Sequence, residues 1–368
     1  MPTWGEELQE LAELQREFQA RHTNTLPPPG TESPYDVLRR KYLKALSEQT
    51  GRAVIVYATA YLDNKEQVTA ADLAVGMGDL QGFMEAVSNV QERQLDLFLH
   101  SPGGSPEAAE SIMAYLRTRF DHIRAVVPVA AMSAATMMAL ACDEIVMGAH
   151  SQLGPIDPQL SIATPEGQRS APAQAILDQF EKAKIECQDT KNIAAWLPIL
   201  RGYGPGLLAM CSHQRSLAED FATKSLETHM FAGESNAHEQ AASAAAWFAD
   251  FSYFQSHGRR VSREDARAQG IRVVSLEEND DLQDAVLSVH HAVSHTLSST
   301  VAFKLIENHL GRAFLLQKAP ILTFAPQIGQ GQPGTTPQLP GLPQPSTSGV
   351  RGGNRAERRR QERQQRGR

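Results

Sequence analysis

Two turns in this chain carry residue types that could do chemistry together. The first is His100-Ser-Pro-Gly-Gly-Ser-Pro106, which follows a strand pattern and precedes a helix pattern. Paired glycines let the backbone adopt conformations closed to other residues and bring bare amides against a ligand. The helix N-terminus that follows adds positive potential. The second turn is Ala130-Ala-Met-Ser-Ala-Ala-Thr-Met-Met138, where Ser133 opens the next helix pattern. Alone, each has a plain structural reading, a tight turn in one case and an N-cap serine in the other. Their spacing joins them: Gly104 and Ser133 are 29 residues apart, close to one strand–helix–strand unit of about 30 residues. Consecutive turns of that kind open at the same sheet edge. A hydroxyl at a helix N-terminus beside bare amides is what acyl transfer needs, a nucleophile together with donors aimed at the developing oxyanion. Ser133 is the candidate nucleophile, and the amides of Gly103, Gly104 and Ala134 are the candidate donors.

The elements that must position these turns are legible in the apolar patterning. Residues 4–22 predict a helix with Trp4, Leu8, Leu11 and Phe18 on one stripe. Leu26-Pro-Pro-Pro-Gly30 breaks it, and residues 35–49 predict a second helix. Together 1–50 form a helical arm that fits either oligomerisation or covering the core. From Arg52 onward strands are predicted at 53–60, 95–100, 125–130 and 144–147. Helices are predicted at 70–88, 106–120 and 133–142. Ser105 caps the 106–120 helix and Pro106 takes its first position. Ala109, Ile112, Met113, Leu116 and Phe120 form that helix's buried stripe. Strand–helix alternation with short connections predicts an α/β domain with a mostly parallel sheet and crossover helices, over residues 51–326.

Composition narrows the function classes. No apolar run approaches the ~18–20 residues needed to span a bilayer. The start, Met-Pro-Thr-Trp-Gly-Glu-Glu7, is acidic where a signal peptide would be basic. Three scattered cysteines, Cys142, Cys187 and Cys211, make neither a disulfide framework nor a closed zinc site. A cytoplasmic protein is the expectation. The net charge of −7 divides unevenly: residues 351–368 hold eight arginines against two glutamates, a net +6, leaving −13 for the remainder. Residues 327–350 carry no charge and are crowded with Pro, Gly, Gln, Ser and Thr, so 327–368 is expected to be a disordered linker and Arg-rich tail. Without interleaved aromatics the tail fits contact with nucleic acid or another anionic surface no better than a solubilising role.

The ordered set of motifs resembles a known family. It runs strand, Ser-Pro-Gly-Gly, helix, strand, Met-Ser-Ala-Ala, helix, Asp-Glu-Ile-Val-Met147, and then Leu153-Gly-Pro-Ile-Asp-Pro-Gln-Leu160. This resembles the serine dehydrogenase proteinases, which are similar to signal peptide peptidase A and share the Clp protease/crotonase fold. The resemblance resumes in Ser256-His-Gly-Arg259, in residues 282–292 and in Ile306-Glu-Asn-His-Leu-Gly-Arg312, and so covers roughly 52–315. It implies a ββα superhelix core with extra N- and C-terminal helices, a homo-oligomer, and a serine endopeptidase acting on protein or peptide. Ser133 maps onto the nucleophile, and Gly103 and Gly104 onto the oxyanion loop. No cofactor or metal is implied. The chain holds no phosphate-binding Gly-x-x-x-x-Gly-Lys-Ser/Thr motif, so any ATP dependence would come from a separate unfoldase. Two competitors remain: a crotonase-type acyl-CoA enzyme, and a catalytically silent assembly protein.

The proton acceptor is the open element. Clp proteases place a histidine near what is here Ile156-Asp157, and none stands there; His150 lies seven residues short of Asp157. Signal peptide peptidase A-like enzymes use a lysine, which works as a base only if burial lowers its pKa from about 10.4. The helix starting at Pro172 has an apolar stripe of Ala173, Ile176, Leu177 and Phe180, and Lys184 stands at the next i+4 position, 51 residues past Ser133. Lys182 is about 200° away and faces water. Lys184 is therefore the expected base and Lys191 the reserve; the alternative is a lysine whose stem covers apolar surface while its amine stays wet. Asp157, in a proline-bracketed loop, either orients a base or serves as a turn former. Asp157 and His150 are second-rank cleft residues, and His257 beside Gly258 reads as a turn residue. His291 and His295 share a helix face at i,i+4, but no third ligand accompanies them.

Overall fold

Every side chain of Ala53–Thr59 is buried, the mark of a strand covered on both faces. The computed structural model describes residues 3–23, 25–164 and 167–318. The strands are β1 Ala53–Thr59, β2 Gln94–His100, β3 His122–Val127, β4 Ala130–Ala131, β5 Glu144–Met147, β6 Gln152–Leu153, β7 Gln159–Thr164, β8 Gly167–Pro172, β9 Val273–Ser275, β10 Ala302–Asn308 and β11 Ala313–Gln317. The main sheet has the order β11-β10-β1-β2-β3-β5-β9. From β1 to β9 all pairs are parallel, whereas β10 and β11 add an antiparallel margin. Short β4 and β6 pair beside the sheet, and β7 with β8 makes a separate hairpin.

The helices are α1 Trp4–Arg21, α2 Pro34–Thr50, α3 Ala70–Leu73, α4 Asp79–Val87, α5 Pro106–Arg117, α6 Ala134–Leu140, α7 Ala173–Glu186, α8 Ile193–Arg201, α9 Leu207–Ser225, α10 Ala237–Phe248, α11 Phe251–Phe254, α12 Arg263–Ala268 and α13 Asp280–Ser299. One face of the sheet packs on α4, α5, α6, α9 and α10 through Phe83, Ile112, Met138, Ala222 and Phe248. The other packs on α2 and α13 through Leu43, Leu46, Val286 and Val293. The first fifty residues thus include part of the core: Arg39 of α2 is buried and bonds Glu307 of β10 at 2.7 Å and Thr296 of α13 at 2.8 Å.

Two elements differ from the sequence expectation. The helix expected over 70–88 is broken into α3 and α4 by a non-helical stretch, extended at Ala74 and turning at 77–78. Two glycines, poor helix formers, lie in it, and Val75 leaves the helix to pair with Gly104. The strand expected over 125–130 starts earlier, at His122, and stops before Pro128, which has no amide to give a ladder. The expected disordered tail, 327–368, lies outside the described residues.

Candidate active site

Ser133 sits in a sharp turn between β4 and α6 with φ 52° and ψ −121°, a positive φ uncommon for a residue with a Cβ. Such strain persists only where the surroundings over-determine it. Here the preceding strand is pinned on both sides. Ser101 N donates to Ala130 O at 3.1 Å and Met132 N to Ser101 O at 2.9 Å. The Thr136 hydroxyl donates to Ala131 O at 2.8 Å and accepts from Gly154 N at 3.0 Å. Helix α6 is buried at all seven positions, so its N-terminus cannot slide. The Ser133 side chain makes no capping bond to its own helix, contrary to the plain N-cap reading, and is half-buried.

The glycine pair lies against this elbow. A Cβ on Gly103 would come within 2.4 Å of Met132 O and 2.6 Å of Ser133 Cβ, so only glycine lets the loop approach so closely. A Cβ on Gly104 would fall 2.4 Å from both backbone N and O of Val75. Val75 grips the loop at two points: its N–H donates to Gly103 O at 2.7 Å, and its carbonyl accepts from Ser105 N at 2.9 Å. The Gly103 amide is engaged by the Ser101 hydroxyl at 3.2 Å. Among the described residues the amides of Gly104 and Ala134 meet no acceptor. Of the three candidate donors these two are available to a ligand.

Ser133, Gly103 and Gly104 open onto a cavity of about 450 Å³, together with Tyr61, Leu73, Ala74, Met137, Ile156 and His257. Among the described residues no lysine, arginine or carboxylate lines it. His257 is the residue that sequence reasoning passed over as a turn. Its Nδ1 lies 2.7 Å from Asp157 Oδ1, and the Asp157 side chain is 3% exposed. An ionised carboxylate only accepts, so Nδ1 carries the proton and Nε2 is left as the acceptor. Asp157 is also held by Gln159 Nε2 at 2.7 Å. An antiparallel bridge, in which Leu153 and Val261 exchange both hydrogen bonds at 3.0 and 2.9 Å, closes the chain four residues outside this pair. The quoted motif Ser256-His-Gly-Arg259 was the available signal; nothing local tied it to a carboxylate 100 residues away.

Lys184 is the correction. Its side chain is 58% exposed and paired with Glu181 at 2.8 Å, and it does not line the cavity. The buried line of α7 continues from Ala173 and Ile176 to Ala183, so Lys184 falls one residue, about 100°, beyond the buried face. Without burial, the condition that would make it a base is missing. Lys191 is likewise exposed. His150 is exposed and outside the cavity lining. His291 bonds buried Glu7 at 3.3 Å and His295 lies under Trp4 with ring centroids 3.9 Å apart, so both serve the seat of α1. Among the described residues no His/Cys/Asp/Glu group could hold a metal, and no helix is long and apolar enough to cross a membrane.

Behind the glycine loop the packing is between rings. Tyr61, which lines the cavity, packs 4.9 Å from His100, and His100 packs 5.4 Å from His290. Burial pushes the Tyr61 phenol up to about 12 and the His100 imidazole down to about 4. Burial, reinforced by His100, His291 and His150, lowers His290 to about 3. These histidines are neutral packing groups at neutral pH.

Comparison with known proteins gives this arrangement a context. The family model for ClpP-like SDH-type serine proteinases matches residues 36–195, a span containing Ser133, the glycine pair and Asp157. One uncharacterized protein of Methanocaldococcus jannaschii is 41% identical over 103 residues, 28% of this chain and 33% of the relative. A second from the same organism is 28% identical over 161 residues, 42% of this chain and 51% of the relative. The matches thus span about a third and a half of those relatives' lengths. Among solved structures, the membrane-bound stomatin-specific protease 1510-N is similar in two variants. A serine-to-alanine form has a TM-score of 0.35 at 15% identity, covering 58% of this chain and 79% of that one. A lysine-to-alanine form in complex with a substrate peptide has a TM-score of 0.36 at 16% identity, covering 57% and 74%.

Proposed function

We propose, from the match of residues 36–195 to the family model for ClpP-like SDH-type serine proteinases, that the chain is a serine endopeptidase working through an acyl-enzyme on Ser133. The observation that carries the reading is the Asp157–His257 pair, which faces the same cavity as the strained serine. Ser133 Oγ attacks the scissile carbonyl carbon while its proton passes to His257 Nε2. The carbonyl oxygen becomes an oxyanion held by the Gly104 and Ala134 amides. Asp157 fixes the tautomer and stabilises the imidazolium. His257 then gives that proton to the leaving nitrogen as the C–N bond breaks. Water, deprotonated by the same Nε2, later cleaves the ester and restores Ser133.

The competing bases differ in what supports them. A lysine dyad through Lys184 would need the helix to rotate its charged end into the cavity and away from Glu181. The acyl-CoA reading needs a carboxylate over the thioester, whereas the cavity lining among the described residues is uncharged. An apolar, open cavity suits a peptide side chain beside the scissile bond.

A fluorophosphonate probe tests the proposal. Wild type is expected to be labelled and Ser133→Ala to remain unlabelled, with peptide hydrolysis lost in parallel. Absence of labelling at any pH or oligomeric state sinks the enzyme reading in favour of a silent assembly protein.

A further inference from the structure

Lys304 is a lysine where a strand core has little use for one: its side chain is 4% exposed, on β10, between β11 and β1. Its ammonium makes three bonds, to Asp79 Oδ1 at 2.9 Å, to Asp79 Oδ2 at 3.0 Å and to Ala74 O at 2.7 Å. Asp79 Oδ2 in turn accepts from Gly76 N at 2.9 Å and from the Tyr57 hydroxyl at 2.8 Å. One buried ion pair thus holds the carbonyl of Ala74 and the amide of Gly76. The residue between them is Val75, whose N–H and carbonyl hold Gly103 O and Ser105 N. The residue between those two is Gly104.

We propose that Lys304 is a positioning residue for the oxyanion loop: with Asp79 it fixes the Ala74–Gly76 stretch, which sets the direction of the Gly104 amide. This rests on the serine peptidase reading. A buried ion pair is a weak source of stability, since apolar residues of similar volume often do as well. It is directional, however, and an amide that must meet an oxyanion has to be held to a fraction of an ångström. The break between α3 and α4 acquires a purpose on this view. A continuous helix over 70–88 would leave Val75 no free backbone groups to offer the loop.

The test separates positioning from stability. In the double variant Lys304→Met/Asp79→Leu both charges are removed together; the Tyr57 hydroxyl and Gly76 amide lose their acceptor, so the protein is expected to melt below the wild-type temperature but to stay folded at assay temperature. Its kcat on a fluorogenic peptide falls about 10–100-fold, the scale of a misplaced donor, while KM stays within about twofold. A peptide aldehyde, which forms a tetrahedral adduct, loses affinity by the same factor as kcat/KM, and the matching peptide amide does not. Amide hydrogen exchange accelerates at Val75 and Ser105 but not along β2. Wild-type kcat and aldehyde affinity in a folded double variant overturn the proposal. If the double variant does not fold, Asp79→Asn carries the same measurements. If wild-type Ser133 is not labelled by fluorophosphonate, the peptidase reading fails by itself. Exchange then decides about Lys304: acceleration confined to 74–76 and 103–105 supports it, and unchanged protection overturns it.

Discussion

His257 Nδ1 lies 2.7 Å from Asp157 Oδ1, across 100 residues of sequence, and an antiparallel bridge between Leu153 and Val261 closes the chain four positions outside that pair. On the proposed mechanism His257 is the proton acceptor, and Lys184 is a surface ion pair with Glu181. His257→Ala is expected to lower kcat by ~10²–10⁴, the usual worth of a general base. Asp157→Asn keeps the shape but can donate to Nδ1 and select the wrong tautomer, so its loss falls in the same range. Lys184→Ala should change kcat by less than about twofold. Steady-state kinetics on one peptide substrate checks all three, and the reverse ranking of His257→Ala and Lys184→Ala would restore the lysine dyad.

The glycine pair gives a prediction with two different failures. In Gly103→Ala the new methyl meets Met132 O and Ser133 Cβ, so the elbow itself must shift. In Gly104→Ala it meets the backbone of Val75, so the loop must separate from the Ala74–Gly76 stretch. Both substitutions should lower kcat by ~10² or more. Only Gly103→Ala should also slow fluorophosphonate labelling through a displaced Ser133. Equal kcat losses with equal labelling rates would mean that the two glycines act as one turn.

How much of this was legible beforehand depends on the range of the interaction. The parallel strands and the two candidate-site turns follow from local pattern: Gly103-Gly104 and Ser133 each sit between a strand and a helix, and their separation fixes the edge. The break at Gly76 had a local signal in two glycines, but helical periodicity on either side outweighed it. His257 had only the Ser256-His-Gly-Arg259 motif, because its contact with Asp157 spans 100 residues of sequence. For Lys184 the helix was placed correctly and the face was wrong. Counting i+4 from Phe180 gave Lys184, whereas the buried line runs Ile176 to Ala183, seven residues and two turns.

The seat of α2 on the sheet gives a stability prediction. Arg39 and Glu307 are fully buried, and Arg40 Nε adds a second bond to Glu307 at 3.0 Å. Removing the acid leaves the buried Arg39 guanidinium with Asp36 as its remaining acid, at a cost of up to ~3–5 kcal/mol. The exposed pair of Lys41 with Glu10 should be worth less than about 1 kcal/mol. Urea unfolding of Glu307→Ala and Lys41→Ala should therefore differ several-fold in destabilisation. Equal effects would show that α2 is held by its apolar face alone, through Leu38, Leu43 and Leu46.

The buried histidines predict how stability responds to pH. His100 and His290 have folded-state pKa values near 4 and 3, below the ordinary 6.5, because burial disfavours the charged imidazole. His229 and His295 are lowered for the same first cause. With the folded pKa depressed, the unfolded chain takes up protons first as pH falls. Their contribution is full above about 6.5 and is lost progressively toward pH 4. Between pH 7 and pH 5 the loss is about 2 kcal/mol for each of His100 and His290. Unfolding free energies from urea at pH 7 and 5 should differ clearly for wild type, and His290→Gln should shrink that difference by about 2 kcal/mol. An unchanged difference would mean that His290 takes up its proton in the folded state as readily as in the unfolded one.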